Sequence, residues 1–244
     1  MKKFIKFFKK IYSKKRFGFG NNWLKFSDNN IDQNIDFAKK SLEGLLNLEN
    51  YEGKTFLDIG CGSGIVSLAA RRMGMEVYSF DYDSNSVKSC QRLKKRYLPN
   101  DKNWEIEKGS ILNKKYLEKI GKFDIVYSWG VLHHTGKLWE SLDNLSILLK
   151  NNKDSVLALA IYNDQGLKSR IWWIIKFLYN TNFIFKLIIN IIFLPIYFLI
   201  YTFLGLKIYG KPFKYFSEYK KKRGMPPYFD WIDWVGGFPF EVST

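Results

Sequence analysis

The segment FLDIGCGSG, residues 56–64, constrains this chain more than any other. An apolar run with Asp58 inside it leads into glycines at 60, 62 and 64, and a second apolar-periodic run starts at Ser63 or Gly64. That order describes a buried strand, a tight turn and a helix N-terminus. The glycines let the backbone pass close to a ligand, and the helix start offers it unpaired N–H groups. A dinucleotide fingerprint does not fit: its third glycine would fall on Ile65 or Ser67, depending on the register. The turn carries no Gly-Lys-Ser/Thr either, which excludes a phosphate loop there. Asp58 would repel a pyrophosphate. It suits a cationic or hydrogen-bond-donating ligand.

The same alternation continues downstream. Strand patterns fall at residues 54–60, 75–81, 104–110, 123–129 and 155–163, and helical patterns at 64–74, 84–98 and 137–149. Strands separated by helices predict an α/β fold, a Rossmann-like doubly wound and mostly parallel sheet covered on both faces.

Charge and composition narrow the classes. The net charge of +16 is concentrated at two places. Residues 1–16 carry eight Lys/Arg and no acid, and residues 165–225 carry eleven against one acid, Glu218. Two cysteines and two histidines give no metal-ligand pattern, so no metal is expected, and so few cysteines suit a reducing compartment. MKKFIKFFKKIYSKKR at the start reads as a basic amphipathic helix, suited either to a membrane interface or to packing on its own domain. The basic segments alternate with aliphatic runs and hold no RNA-binding motif, which argues against nucleic acid.

Residues 187–206 contain no charge, with basic residues on both sides, Lys168 to Lys186 before and Lys207 to Lys222 after. As helix, 20 residues reach ~30 Å, one bilayer core. Both flanks prefer the cytoplasmic side. The expectation is therefore a helical hairpin that dips into one leaflet with Pro195 near its bend, making the protein cytoplasmic and peripheral or monotopic at the inner membrane face. A lid over a substrate pocket, or a homo-oligomer interface, is the alternative.

At this point D-x-G-x-G-x-G after a first strand resembles the nucleotide-binding turn of class I S-adenosylmethionine-dependent methyltransferases. FGFGNNW (17–23), IYNDQGLKSRIWW (161–173) and RGMPPYFDWIDWVGGFPFE (223–241) are similar to bacterial quinone-biosynthesis-type O-methylases. The resemblance implies S-adenosylmethionine as cofactor, EC class 2.1.1, and a set of cofactor residues: Asp58, Gly60, Cys61, Gly62, Gly64, Asp81, Tyr82, Ser110, Ile111 and Trp129. Asp81 would hold the ribose hydroxyls and Tyr82 would lie beside the adenine. Ser110 stands where many members have an acid. Trp23 would close over the cofactor as a lid.

Acceptor-facing groups belong at the carboxyl ends of strands four and five. That selects His133, His134, Asn163, Asp164 and Gln165, with His134, His133 or Asp164 as the base. The family's sheet usually finishes with an antiparallel hairpin, for which no residues remain after GGFPFE. Either the insertion substitutes for it or the gene product is shortened and inactive. The expected divisions are an N-terminal cap (1–49), the cofactor core (50–163), a hydrophobic and basic insertion (164–226) and a C-terminal segment (227–244). The expected activity is O-methylation of a lipid-like or lipid-linked acceptor at an anionic membrane surface. A soluble small molecule or sugar is the alternative acceptor.

Overall fold

The computed structural model describes residues 16–26, 32–223 and 226–243. The amphipathic helix expected over residues 1–16 lies outside the described residues except for Arg16. Five parallel strands, β1 (Thr55–Ile59), β2 (Glu76–Asp81), β3 (Trp104–Lys108), β4 (Ile125–Trp129) and β5 (Val156–Ala160), lie in the order β3-β2-β1-β4-β5. This is the Rossmann-like doubly wound sheet that the alternation predicts. The chain reverses its winding between β1 and β4, so a crevice opens at their carboxyl ends, where such sheets bind ligands.

Period-two alternation divides the core. Phe56 and Ile125 face α2 (Asp32–Leu46), α3 (Ile65–Arg72) and α4 (Ser84–Tyr97), packing with Leu42, Leu68 and Leu93. Leu57, Ile59 and Val126 face α5 (Lys114–Ile120) and α6 (Leu138–Leu148), packing with Leu117 and Leu145. Asp58 shares the Phe56 face, so its carboxylate is carried into an otherwise apolar layer. Helix α5 is additional to the helices read from sequence. Its signal is short: the Asn113 side chain caps it by accepting the Tyr116 amide at 3.2 Å, and Gly121 ends it. A seven-residue helix at the front, α1 (Gly20–Phe26), packs against α4.

Beyond β5 come α7 (Leu167–Tyr179), α8 (Phe183–Tyr209), α9 (Lys214–Arg223) and α10 (Pro227–Gly236). The hairpin bend does not form at Pro195: α8 runs unbroken through it for 27 residues, and the chain turns instead at 180–182. Asn182 sets that turn by capping α8, its side chain accepting the Phe185 amide at 3.0 Å. Pro195 removes only the bond to the Ile191 carbonyl, too little to end a helix with long apolar runs on either side. Ile189, Phe193, Tyr197, Tyr201 and Gly205, spaced by four, form its inner stripe. Gly205 admits the backbone of Pro212, whose carbonyl oxygen would lie 2.3 Å from any Cβ. The other face is exposed, including Phe183, Ile191, Leu199 and Phe203, each more than 60% accessible.

Among the described residues no antiparallel hairpin follows β5, and α7–α10 do not replace it in the sheet. The segment after α10 instead returns along the end of β5. Glu241 N donates to the His133 carbonyl at 2.9 Å, and Asn163 and Ser243 form a parallel bridge.

Candidate active site

The crevice at β1 and β4 is a cavity of about 820 Å³. Its floor is the glycine turn, with Gly60, Gly62 and Gly64 at φ of 76°, 53° and 84°. A Cβ at Gly60 would lie 2.5 Å from both Val131 methyl groups. Left-handed backbone and lack of space exclude a side chain there independently. The amides of Gly60 and Cys61 donate to the Phe80 carbonyl at 2.8 and 3.2 Å, which pins the turn to β2.

Asp58 lies beneath the turn, almost wholly buried. Ser67 donates to its Oδ2 at 2.5 Å, Ser79 donates to Ser67 at 2.8 Å, and the Trp104 indole donates to Ser79 at 2.9 Å. A relay of donors from β3, β2 and α3 thus ends on the carboxylate, with Ser67 as its last member. Burial pushes Asp58 up to about 7, against the pull of the Ser67 hydroxyl. Asp81 ends β2 and accepts from Gly62 N at 3.1 Å and Asp83 N at 2.8 Å. Burial raises it to about 6, the two backbone N–H groups opposing the rise.

Asp83, which the sequence reading did not single out, caps α4 and also accepts the Gly20 amide at 2.9 Å, drawing α1 over the turn. The Trp23 indole then lies over Gly62, 3.2 Å from where a Cβ would stand, in the place expected of a lid. Tyr82 carries the Arg16 guanidinium on its ring at 4.5 Å. Trp129 stacks on Tyr127, the Ser110 hydroxyl accepts the Leu112 amide at 3.2 Å, and Ile111 is buried in the core of Leu57 and Val126. Of the ten expected cofactor residues, only Gly64 does not line the cavity. It packs α3 on α4, since a Cβ there would meet Cys90 Sγ at 2.6 Å. Cys61 lines the cavity with its thiol pushed up by hydrogen bonding to Cys90 and by burial, which suits packing and not nucleophilic attack.

The expected acceptor-side residues separate. His134 lines the cavity; His133 and Asp164 do not. His133 is fully buried against Tyr162, with ring centroids 3.8 Å apart, and neither ring nitrogen has a hydrogen-bond partner among the described residues. In the short 3₁₀ turn Leu132–His134 the two neighbours point different ways. Asp164 is exposed and accepts the Gly166 amide at 2.8 Å, a local turn that leads into α7; Asn163 and Gln165 are exposed beside it. His134 Nδ1 lies 2.7 Å from the Pro239 carbonyl, so that nitrogen carries the proton. Burial holds its pKa well below the usual value, and the ring is neutral.

Helix α10 supplies what the sequence reading missed. Asp230, Asp233 and Trp234 line the cavity. The only signal was two acids at i, i+3 within an aromatic run. Asp233 accepts from Asn22 Nδ2 at 2.7 Å, and burial pushes it up to about 7. Behind this wall Lys176 is fully buried, donating to the Trp234 carbonyl with its ammonium over the Trp234 and Phe240 rings.

A family model described as a methyltransferase domain matches residues 57–152. The chain is 31% identical over 127 residues to the ribosomal protein L11 methyltransferase of Thermotoga petrophila, which covers 52% of this chain and 40% of the relative. It is 30% identical over 106 residues to the ubiquinone biosynthesis O-methyltransferase of Caulobacter vibrioides, covering 41% and 38%. The chain therefore spans about two fifths of the length of these relatives. Among solved structures it is similar to the magnesium protoporphyrin IX methyltransferase of Synechocystis PCC 6803 with bound SAH, at a TM-score of 0.45 and 21% identity, covering 57% of this chain and 61% of that one. The residues matched by the methyltransferase-domain model contain the glycine turn, Asp58, Asp81 and His134. They end before β5, so α7–α10, of which α8–α10 line the far side of the cavity, lie outside them.

Proposed function

We propose that the protein is an S-adenosylmethionine-dependent methyltransferase that methylates a hydroxyl of a lipid-like or lipid-linked acceptor at the inner face of a membrane. The observation that carries this reading is one continuous cavity. The glycine turn, Asp58 and Asp81 line one end of it, and Tyr197 of the apolar helix α8 and Tyr219 of α9 line the other.

The cofactor fits the first end. Among the described lining residues five aspartates stand against one arginine, an excess that suits a ligand of net positive charge. Asp81 presents carboxylate oxygens beside the turn for ribose hydroxyls, and Asp58 adds negative charge at its floor. S-adenosylmethionine supplies an electrophilic methyl group on a sulfonium. The chain's own part is to orient the acceptor, exclude water and receive its proton. Trp23 over Gly62 excludes water from above. His134, a neutral ring with Nδ1 committed to Pro239, offers only Nε2 as an acceptor.

The membrane part rests on α8. Among the described residues it alone is long and apolar enough to cross a bilayer, with a mean hydropathy of 2.4 over its most apolar window, only 6% of which is buried. Lys186, Lys207, Lys211 and Lys214 flank it, which suits anionic headgroups. Its inner stripe packs with α7, α9 and α10, of which α9 and α10 also line the cavity. A helix lying in one leaflet keeps those contacts. Interleaved aliphatic residues make a membrane, not nucleic acid, the partner of the basic segments.

The test uses the full chain, methyl-tritiated S-adenosylmethionine and a bacterial membrane lipid extract in anionic vesicles. Label should enter the organic phase. Label confined to water-soluble acceptors would replace the lipid by a soluble substrate, and failure to bind S-adenosylmethionine in calorimetry would end the methyltransferase reading.

A further inference from the structure

Asp233 is a cavity carboxylate for which the methyltransferase-domain model gives no account. It belongs to α10, beyond residue 152, yet it lines the same cavity as the glycine turn. One carboxylate oxygen, Oδ1, is held by the Asn22 side-chain amide at 2.7 Å, and Oδ2 has no hydrogen-bond partner among the described residues. Around it stand Trp234, Tyr162 and Phe238, all lining the cavity.

The other polar groups at this end have their donors committed, and His134 keeps only its neutral Nε2 as an acceptor. His134 gives its Nδ1 proton to Pro239, and the Tyr219 hydroxyl donates to Asp230, one helical turn before Asp233. Lys176 is directed at the Trp234 backbone and does not line the cavity. The far chamber thus offers aromatic walls, the His134 Nε2 and one oriented carboxylate oxygen, while the cation among the described lining residues, Arg16, is spent on the Thr135 carbonyl at 2.7 Å and on the Tyr82 ring.

We propose that Asp233 recognises the acceptor: its Oδ2 accepts the hydrogen bond of the acceptor's hydroxyl, and the chamber admits an apolar body while excluding a phosphate or carboxylate at that end. The inference rests on the methyltransferase reading and names its acceptor class. A carboxylate fixed in an aromatic chamber satisfies a hydroxyl donor and repels an anion, because an anion there would face like charge without a counter-ion. An acceptor with a distant anionic group keeps access, provided the hydroxyl enters first.

The experiment uses full-length protein saturated with S-adenosylhomocysteine at a pH of about 8.5, where Asp233 is ionised, titrated with 1-dodecanol, dodecylamine or dodecyl phosphate below their aggregation limits and followed by tryptophan fluorescence. Dodecanol should bind, and it should weaken about tenfold in Asp233→Leu, as for one lost hydrogen bond to a charged group. Dodecyl phosphate should bind the parent at least ~10-fold more weakly than dodecanol, and Asp233→Asn, which keeps the shape and removes the charge, should relax that exclusion. Loss of a fold by Asp233→Leu would appear as lost S-adenosylhomocysteine affinity in calorimetry, and the Asn variant then decides. The proposal is overturned if dodecanol fails to bind the parent or binds all variants alike, if the phosphate binds as well as the alcohol, or if the amine is strongly preferred. A parent that does not bind S-adenosylhomocysteine at all would instead overturn the methyltransferase reading.

Discussion

Ser67 donates a 2.5 Å hydrogen bond to Asp58, joining the first turns of α3 to the strand that precedes the glycine turn. Ser79 and Trp104 extend the chain behind it, each donating to the next oxygen. Ser67→Ala leaves Asp58 buried without its nearest donor. Affinity for S-adenosylmethionine should fall ~5–10-fold in calorimetry, and Ser67→Thr should restore most of it. An alanine variant with parental affinity would show that Asp58 does not act on the cofactor.

Asp81 should matter more. Its carboxylate orders the turn through Gly62 N and Asp83 N as well as facing the ligand. Asp81→Ala should lose ~100-fold in cofactor affinity, about two charge-assisted hydrogen bonds. Burial raises Asp81 to about 6 and Asp58 to about 7; Asp81 accepts from both ribose hydroxyls, and Asp58 attracts the cationic cofactor, only when ionised. Affinity should therefore rise as pH climbs from 5 to 8 and level off above. Asp58→Asn should remove the upper part of that rise. A flat profile in the parent would exclude both carboxylates from the site.

Lys176 gives a stability prediction of opposite sense. Burial depresses it from the ordinary value of 10.5 to about 7. Below pH 7 both folded and unfolded chains hold the proton, and the folded state bears the whole cost of a buried charge. Between about 7 and 10.5 only the unfolded chain holds it, so stability rises with pH. Lys176→Met should be more stable than the parent near pH 6.5, by ~1–3 kcal/mol, and the gap should close toward pH 10 in denaturant melts. A gap that widened with pH would mean that the ammonium is charged and satisfied.

Vesicle sedimentation tests α8. Ile191, Leu199 and Phe203 are exposed on its outer face, and burying each in lipid contributes ~1.5–3 kcal/mol. The triple serine variant should lose at least ~100-fold in partitioning to phosphatidylglycerol vesicles. Salt at 1 M should weaken the parent only by the lysine share, ~1 kcal/mol per residue near the surface. Parental protein that remains in the supernatant at low salt would return α8 to the role of lid or subunit interface.

The sheet, the glycine turn, Asp58 and Asp81 were legible because each rests on a local pattern: period-two alternation, a turn that needs left-handed backbone, and an acid at a strand end. The acceptor side was not. His133 and His134 are adjacent, and only the turn geometry decides that one faces the cavity and the other Tyr162. Asp164 has the right strand end but spends its carboxylate on Gly166 N. Pro195 looked like a bend, but Asn182 outranked it by capping the next helix. Asp233 gave only the faint signal of two acids at i, i+3, because its place in the cavity depends on α10 folding back onto the glycine-turn side and on Asn22 reaching it across 211 residues of chain.

That last contact acts as a latch. Asn22 belongs to α1, which roofs the glycine turn through Trp23, and Asp233 belongs to the helix that closes the opposite end. Lifting the roof to exchange what lies beneath it breaks a bond to Asp233, and a ligand that draws Asp233 away loosens the roof. By thermodynamic reciprocity each end then tunes the affinity of the other in equal measure. Through this one bond, ligands at the two ends of the cavity would favour or disfavour each other by the same factor in both directions.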